Sequence, residues 1–223
     1  MPINRVEPLL PLFKLYKHRN HPLDYKNRYQ LVVMVVLSAQ TTDENVNQLA
    51  PDLFKRYPSM QALAAAKPGE LFPYIRKVRN FANKAKWLTA IAATLKNDKA
   101  IPSTMETLTE LPGIGRKSAN VIIRGSGGTA EGIIVDLHVL RVAPRIGIAT
   151  GDKPQKIEQQ LMELVPKKYW NEAGMALSFL GREICRPTDP NCPECPMTKV
   201  CVYYKTVVSK AGKKKSRAKE KKR

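Results

Sequence analysis

Acidic residues are scarce in this chain. Its 223 residues hold 19 Asp and Glu against 38 Lys and Arg, a formal net charge of +19. That deficit disfavours an acidic small-molecule enzyme of the usual kind. It points instead to a polyanionic partner, either nucleic acid or an anionic membrane surface. Long apolar runs are missing as well. The most apolar stretch, Leu31 to Leu37, has seven residues, far short of the ~20 that cross a bilayer as a helix. It reads as a core helix, and no membrane association is expected. Residues 1–11 show no apolar segment behind a basic start, so no secretory signal is visible and a cytoplasmic location is expected. With 4 Cys and 12 Gly, disulfide-scaffold and collagen-like chains are excluded. Alternating strand patterns and fixed-period repeats are absent.

What is present is helical periodicity, and the expected fold class is all-α. Leu9, Leu12, Phe13 and Tyr16 lie on one helical stripe. Residues 28–39 form a helix apolar nearly all round. Asp43 is placed as the cap of a helix reaching Phe54, and Ser59 as the cap of the next. Lys67-Pro68-Gly69 marks a break before a helix over 70–78. Further helices are expected over 81–95, 105–111, 117–124, 135–146, 155–165 and 173–184. Residues 205–223 differ: ten Lys and Arg against one Glu make a basic tail of net +9, leaving +10 for residues 1–204. Its low complexity suggests disorder.

Leu111-Pro-Gly-Ile-Gly-Arg-Lys117 lies between two helical patterns. Pro112 ends the first helix. Gly113 and Gly115 permit a tight turn and leave backbone N–H groups uncovered. The second helix begins at once, so its positive end joins those donors in an anion site suited to a DNA phosphate. Lys117, taken alone, reads as a phosphate-binding or solvated lysine. Asp136 sits in an apolar run at a helix start, where capping is the common role of aspartate.

All four cysteines, Cys185, Cys192, Cys195 and Cys201, fall within 17 residues. A reducing compartment makes two disulfides a poor explanation, so a metal or cluster site is the better one. Only Cys192 and Cys195 form a C-x2-C pair, whereas zinc ribbons show two. The bacterial ferredoxin run does not fit either.

These motifs together resemble the endonuclease III family of helix-hairpin-helix DNA repair glycosylases. The segment ending at Lys117 is similar to the family's hairpin. Val135-Asp136-Leu137-His138 matches its Val-Asp-x-His motif, with Leu137 where Thr is usual. The six-two-five cysteine spacing is that of its [4Fe–4S] loop. Leu37-Ser-Ala-Gln-Thr-Thr-Asp43 resembles its Leu-Ser-x-Gln-x-x-Asp signature. The resemblance covers roughly residues 7 to 204.

The resemblance implies two all-α domains with a cleft between them. One, a six-helix domain, spans 21–130; the other, an iron–sulfur domain, combines 1–20 with 131–204; the tail follows. Lys117 would be the nucleophile and Asp136 its carboxylate partner, one on each side of the cleft. Desolvation and neighbouring cations, Arg116 and Arg141, would favour the neutral amine. Gly113, Ile114, Gly115 and Arg116 would bind the DNA backbone, and Gln40 would fill the gap left by an extruded nucleotide. Arg79 and Asn80 stand where the family carries Gly and an apolar wedge, so they are expected to touch DNA differently. His138 joins this DNA-facing set, in a structural role rather than as a proton shuttle. The four cysteines would hold a [4Fe–4S] cluster.

The implied activity is a bifunctional glycosylase and abasic-site lyase. It would remove oxidised pyrimidines from double-stranded DNA as a monomer, in the cytoplasm or in a nucleus. Other readings are a monofunctional glycosylase that uses water, a non-catalytic lesion-binding protein, and a zinc-structured nucleic-acid binder. Lys117 argues against the first of these, and Arg79-Asn80 favours the second.

Overall fold

The apolar run does form a central helix. In the computed structural model, which describes residues 6–19 and 21–209, Tyr29 and Leu31 to Leu37 are all buried. They lie on α2 (Arg28–Ser38), whose start is capped by the Asn27 side chain accepting from the Gln30 N–H. At roughly 1.5–3 kcal/mol for each large buried apolar side chain, this helix anchors the first of two compact units, residues 20–131.

Six further helices complete that unit: α3 (Asp43–Arg56), α4 (Met60–Ala64), α5 (Pro68–Ile75), α6 (Phe81–Leu95), α7 (Met105–Thr109) and α8 (Arg116–Gly125). α2 packs against α3, α6 and α8, while α6 packs against α4 and α5. α6 buries Ala85, Leu88, Ile91, Ala92 and Leu95 on one face. Lys84 is buried on that face too. Its Nζ donates to the Leu37 carbonyl at 2.8 Å and to that of Ala39. An ammonium thus ends the central helix, where cations are favoured. Burial pushes the Lys84 amine down to about 8.

The second unit joins residues 1–19 to 132–223. It contains α1 (Leu10–Tyr16), α9 (Leu137–Ile146), α10 (Pro154–Leu164) and α11 (Trp170–Glu183). α11 packs against both α1 and α9, and Ala173 through Gly181 are buried without interruption. Gly174 is required there. A Cβ at that position would lie 2.7 Å from the Ile134 carbonyl oxygen and 2.8 Å from the Ile134 nitrogen. The segment leading into Asp136 therefore lies directly on α11.

Among the described residues there are no strands, and the fold is all-α. Four local expectations need correction. Thr42, not Asp43, caps α3, accepting from the Asn45 N–H at 3.3 Å; Asp43 is the first helical residue. The break before α5 falls at residues 65–67, and Pro68 opens the helix two residues earlier than expected, where its missing N–H costs nothing. α9 begins at Leu137 rather than Val135, because Asp136 is extended and caps it. Tyr204–Val208 form a helical turn, with Thr206 Oγ1 donating back to the Val202 carbonyl. Helical chain thus continues beyond 205, where disorder was expected to begin. Residues 210–223, the rest of the basic tail, lie outside the described residues.

Candidate nucleic-acid and catalytic site

The hairpin between α7 and α8 is built on one glycine and one tryptophan. Gly113 has φ +78°, the left-handed region that favours glycine. A Cβ there would come within 2.5 Å of the Trp87 ring. Ile114 is buried as the anchor of the turn, its N–H donating to the Leu111 carbonyl at 3.1 Å. Gly115 caps α8 without any side chain supplying an acceptor, and the space beside its Cα is open. The first N–H groups of α8 therefore present their positive end without a side-chain screen. That is the arrangement an anion needs.

Lys117 is the second residue of α8 and is exposed. The expected desolvation is not found. The buried face of α8 runs through Ala119 to Ile123, and Lys117 lies outside it. Arg116 is also exposed and donates to the Glu131 carbonyl at 3.0 Å. Arg141 donates to the carbonyls of Gly181 and Cys185.

A residue that sequence reasoning missed stands near Lys117. His21 accepts the Leu23 N–H on Nδ1 at 3.0 Å. That bond places the ring proton of the neutral form on Nε2. Its ring meets Tyr25 edge-on, with centroids 5.7 Å apart. Burial, helped by the charges of Arg124 and Lys117 and opposed by Asp43, pushes its pKa down to about 4. Nothing in the dipeptide His21-Pro22 signals this; the environment is assembled from α3 and α8.

Gln40, Arg79 and Asn80 come together on adjoining turns. The Arg79 N–H donates to Thr41 Oγ1 at 3.2 Å, and Asn45 Nδ2 donates to the Lys77 carbonyl at 3.0 Å. Gln40 and Asn80 both adopt left-handed backbone, φ 57° and 59°. All three predicted residues are exposed.

Asp136 caps α9 and does more. Its Oδ1 accepts the N–H groups of His138 and Val139, both at 2.9 Å. Its Oδ2 accepts from Ser178 Oγ at 2.6 Å, with Arg182 Nη2 at 3.9 Å. Ser178, almost fully buried on α11, was also missed. One hydroxyl in an apolar helix was the available signal. His138 places Nδ1 3.3 Å from Arg141 Nη2, and burial lowers its pKa, which suits the structural role expected of it. Leu137, where threonine was usual, is 79% exposed.

The four cysteines border one recess, otherwise lined mainly by apolar groups such as Ile146, Leu180, Ile184 and Pro190. None forms a disulfide. Burial pushes the Cys195 thiol up to about 11 and raises that of Cys192. Among the described residues, no three His, Cys, Asp or Glu side chains converge as ligands of a single ion. Four thiols lining one recess fit an iron–sulfur group, since soft thiolates favour that ligation.

Comparison with known proteins agrees with this geometry. Residues 33–167 match the family model described as the HhH-GPD superfamily base excision DNA repair protein. The chain is 39% identical to an endonuclease III from Synechocystis, over 87% of this chain and 90% of that one. It is similar to a trapped endonuclease III–DNA covalent intermediate, with TM-score 0.81, 34% identity and coverage of 88% and 93%. A non-covalent endonuclease III–DNA complex gives TM-score 0.82 at 33% identity, covering 90% and 95%. Hairpin, helix order and sequence agree over most of the length, and the chain belongs to the endonuclease III family of the HhH-GPD superfamily.

Proposed function

We propose that the protein is a DNA glycosylase and abasic-site lyase of base excision repair, acting on oxidised pyrimidines. The observation that carries this is the α7–α8 hairpin. Its uncapped helix start presents backbone donors beside an exposed lysine, in a chain similar to an endonuclease III trapped covalently on DNA. Gly113 to Arg116 hold the phosphate backbone, and Gln40, Arg79 and Asn80 contact the duplex around the lesion. The target nucleotide leaves the stack, because C1′ is unreachable within it.

Lys117 attacks C1′ as the neutral amine, and the damaged base departs with the glycosidic electron pair. Ring opening gives an imine between Nζ and C1′. Loss of a C2′ proton then expels the 3′ phosphate by β-elimination. Asp136, aimed by three hydrogen-bond donors with the Arg182 guanidinium beside it, stabilises positive charge as it develops at C1′. The four cysteines hold a [4Fe–4S] cluster that shapes the 185–201 loop.

Borohydride reduction in the presence of abasic DNA tests the assignment. Wild type is expected to form a stable protein–DNA adduct, and Lys117→Ala none. Equal trapping by both proteins overturns the role of Lys117. Binding to abasic DNA without strand cleavage in wild type overturns the lyase. Cleavage of duplexes carrying defined oxidised pyrimidines, uracil or 8-oxoguanine assigns the substrate class.

A further inference from the structure

Arg145 makes several contacts with the cysteine loop and the segment after it. It lies at the end of α9, 40 residues before Cys185. Its Nη1 donates to the Arg186 carbonyl at 2.7 Å and points to Cys185 Sγ at 3.6 Å. Its Nη2 donates to the Pro187 carbonyl at 3.0 Å. The guanidinium carbon lies 4.6 Å from the centre of the Tyr203 ring. The Arg145 carbonyl, meanwhile, is 3.3 Å from Cys201 Sγ. One side chain thus reaches the segment of the first cysteine and the segment following the last.

The chemistry of those contacts is specific to arginine. A planar fork can serve two carbonyls and a sulfur while its face stacks on an aromatic ring. Lysine has one compact charge and cannot do all of these together. A cationic N–H directed at a ligand sulfur also favours the more negative, reduced form of a cluster. Hydrogen bonds to the sulfurs are among the protein's main means of setting its potential.

We propose that Arg145 clamps the two ends of the cysteine loop and raises the reduction potential of the group the loop holds. This rests on the reading of the four cysteines as [4Fe–4S] ligands, and the test separates the two. Wild-type protein purified without oxygen is assayed for iron and acid-labile sulfide, with about four of each expected per chain. Zinc, or neither element, overturns the cluster reading and the Arg145 proposal with it.

Given a loaded wild type, Arg145→Met and Arg145→Lys are compared with it in two measurements. The first is the rate at which the cluster's visible absorbance decays in air. The second is the reduction potential by mediated titration. Arg145→Met is expected to lose the absorbance several-fold faster and to have a more negative potential. Arg145→Lys keeps the charge, so its potential stays near wild type while its decay is fast. Faster decay with unchanged potential in both variants supports the clamp and overturns the tuning. Wild-type decay and potential in both overturn the whole proposal. If Arg145→Met fails to fold by circular dichroism, Arg145→Lys alone decides the clamp by its decay, and Arg145→Gln replaces Met for the potential.

Discussion

The Ser178 hydroxyl donates to Asp136 Oδ2 at 2.6 Å across 42 residues of sequence. Together with the two N–H groups on Oδ1, it fixes the carboxylate from both sides. Ser178 is almost fully buried, so no solvent replaces it if the hydroxyl is removed. Ser178→Ala leaves the α9 cap intact but removes the hydroxyl donor to Oδ2 and the acceptor for Arg182 Nε at 3.4 Å. A hydrogen bond to a charged group contributes about 1.5–3 kcal/mol. Single-turnover base excision is therefore expected to slow by at least roughly tenfold, and the melting temperature to fall by several degrees. An unchanged rate would show that Ser178 only fills space.

His21 makes stability depend on acid. Its pKa is lowered to about 4 in the folded chain, against an ordinary 6.5. Between those values the unfolded chain binds the proton and the folded chain does not, so stability rises with pH. The contribution is complete above about 6.5 and is lost as pH falls toward 4, by at most about 3 kcal/mol. Urea unfolding at a series of pH values should show a shallower acid loss for His21→Asn than for wild type. Parallel curves would sink the idea.

Gly174→Ala places a methyl against the backbone of Ile134, which cannot swing aside. The expected cost is about 1–3 kcal/mol, typical of overpacking. The strain acts on the segment entering Asp136, so excision should slow as well as the melting temperature fall. A variant with wild-type stability would show that α11 has room to retreat.

Residues 210–223 carry nine Lys and Arg and one Glu. Deleting them should weaken binding to undamaged duplex and flatten its dependence on salt, since each phosphate neutralised contributes to that slope. The single-turnover rate at saturating enzyme should persist. Its collapse would make the tail part of the catalytic apparatus.

Much of the fold was legible because it depends on local chemistry. The Leu31 to Leu37 run, the Ser59 cap and the Pro112-Gly113 stop each carry their cause in adjacent residues. The cap of α3 was misplaced by one residue because Thr42 and Asp43 are both good caps, and backbone direction decides between them. At the site, motifs supplied the hairpin, Asp136 and the cysteines. Motifs did not supply Ser178, His21 or Arg145. Their roles come from partners 40 or more residues away, or from burial between helices, and such pairings exist only after packing. Lys117 is solvated, as its residue type alone suggested, and the desolvation implied by the resemblance is absent because α8 buries another face.

The indole of Trp87 that fills the space beside Gly113 is also an optical reporter. The chain has two tryptophans. The other, Trp170, lies on α11 in the second compact unit, its Nε1 donating to the Val165 carbonyl. Replacing Trp170 with Phe would leave one indole, seated against the turn between α7 and α8. Tryptophan emission would then report on the surroundings of that turn when DNA is added, without a dye on the DNA or the protein.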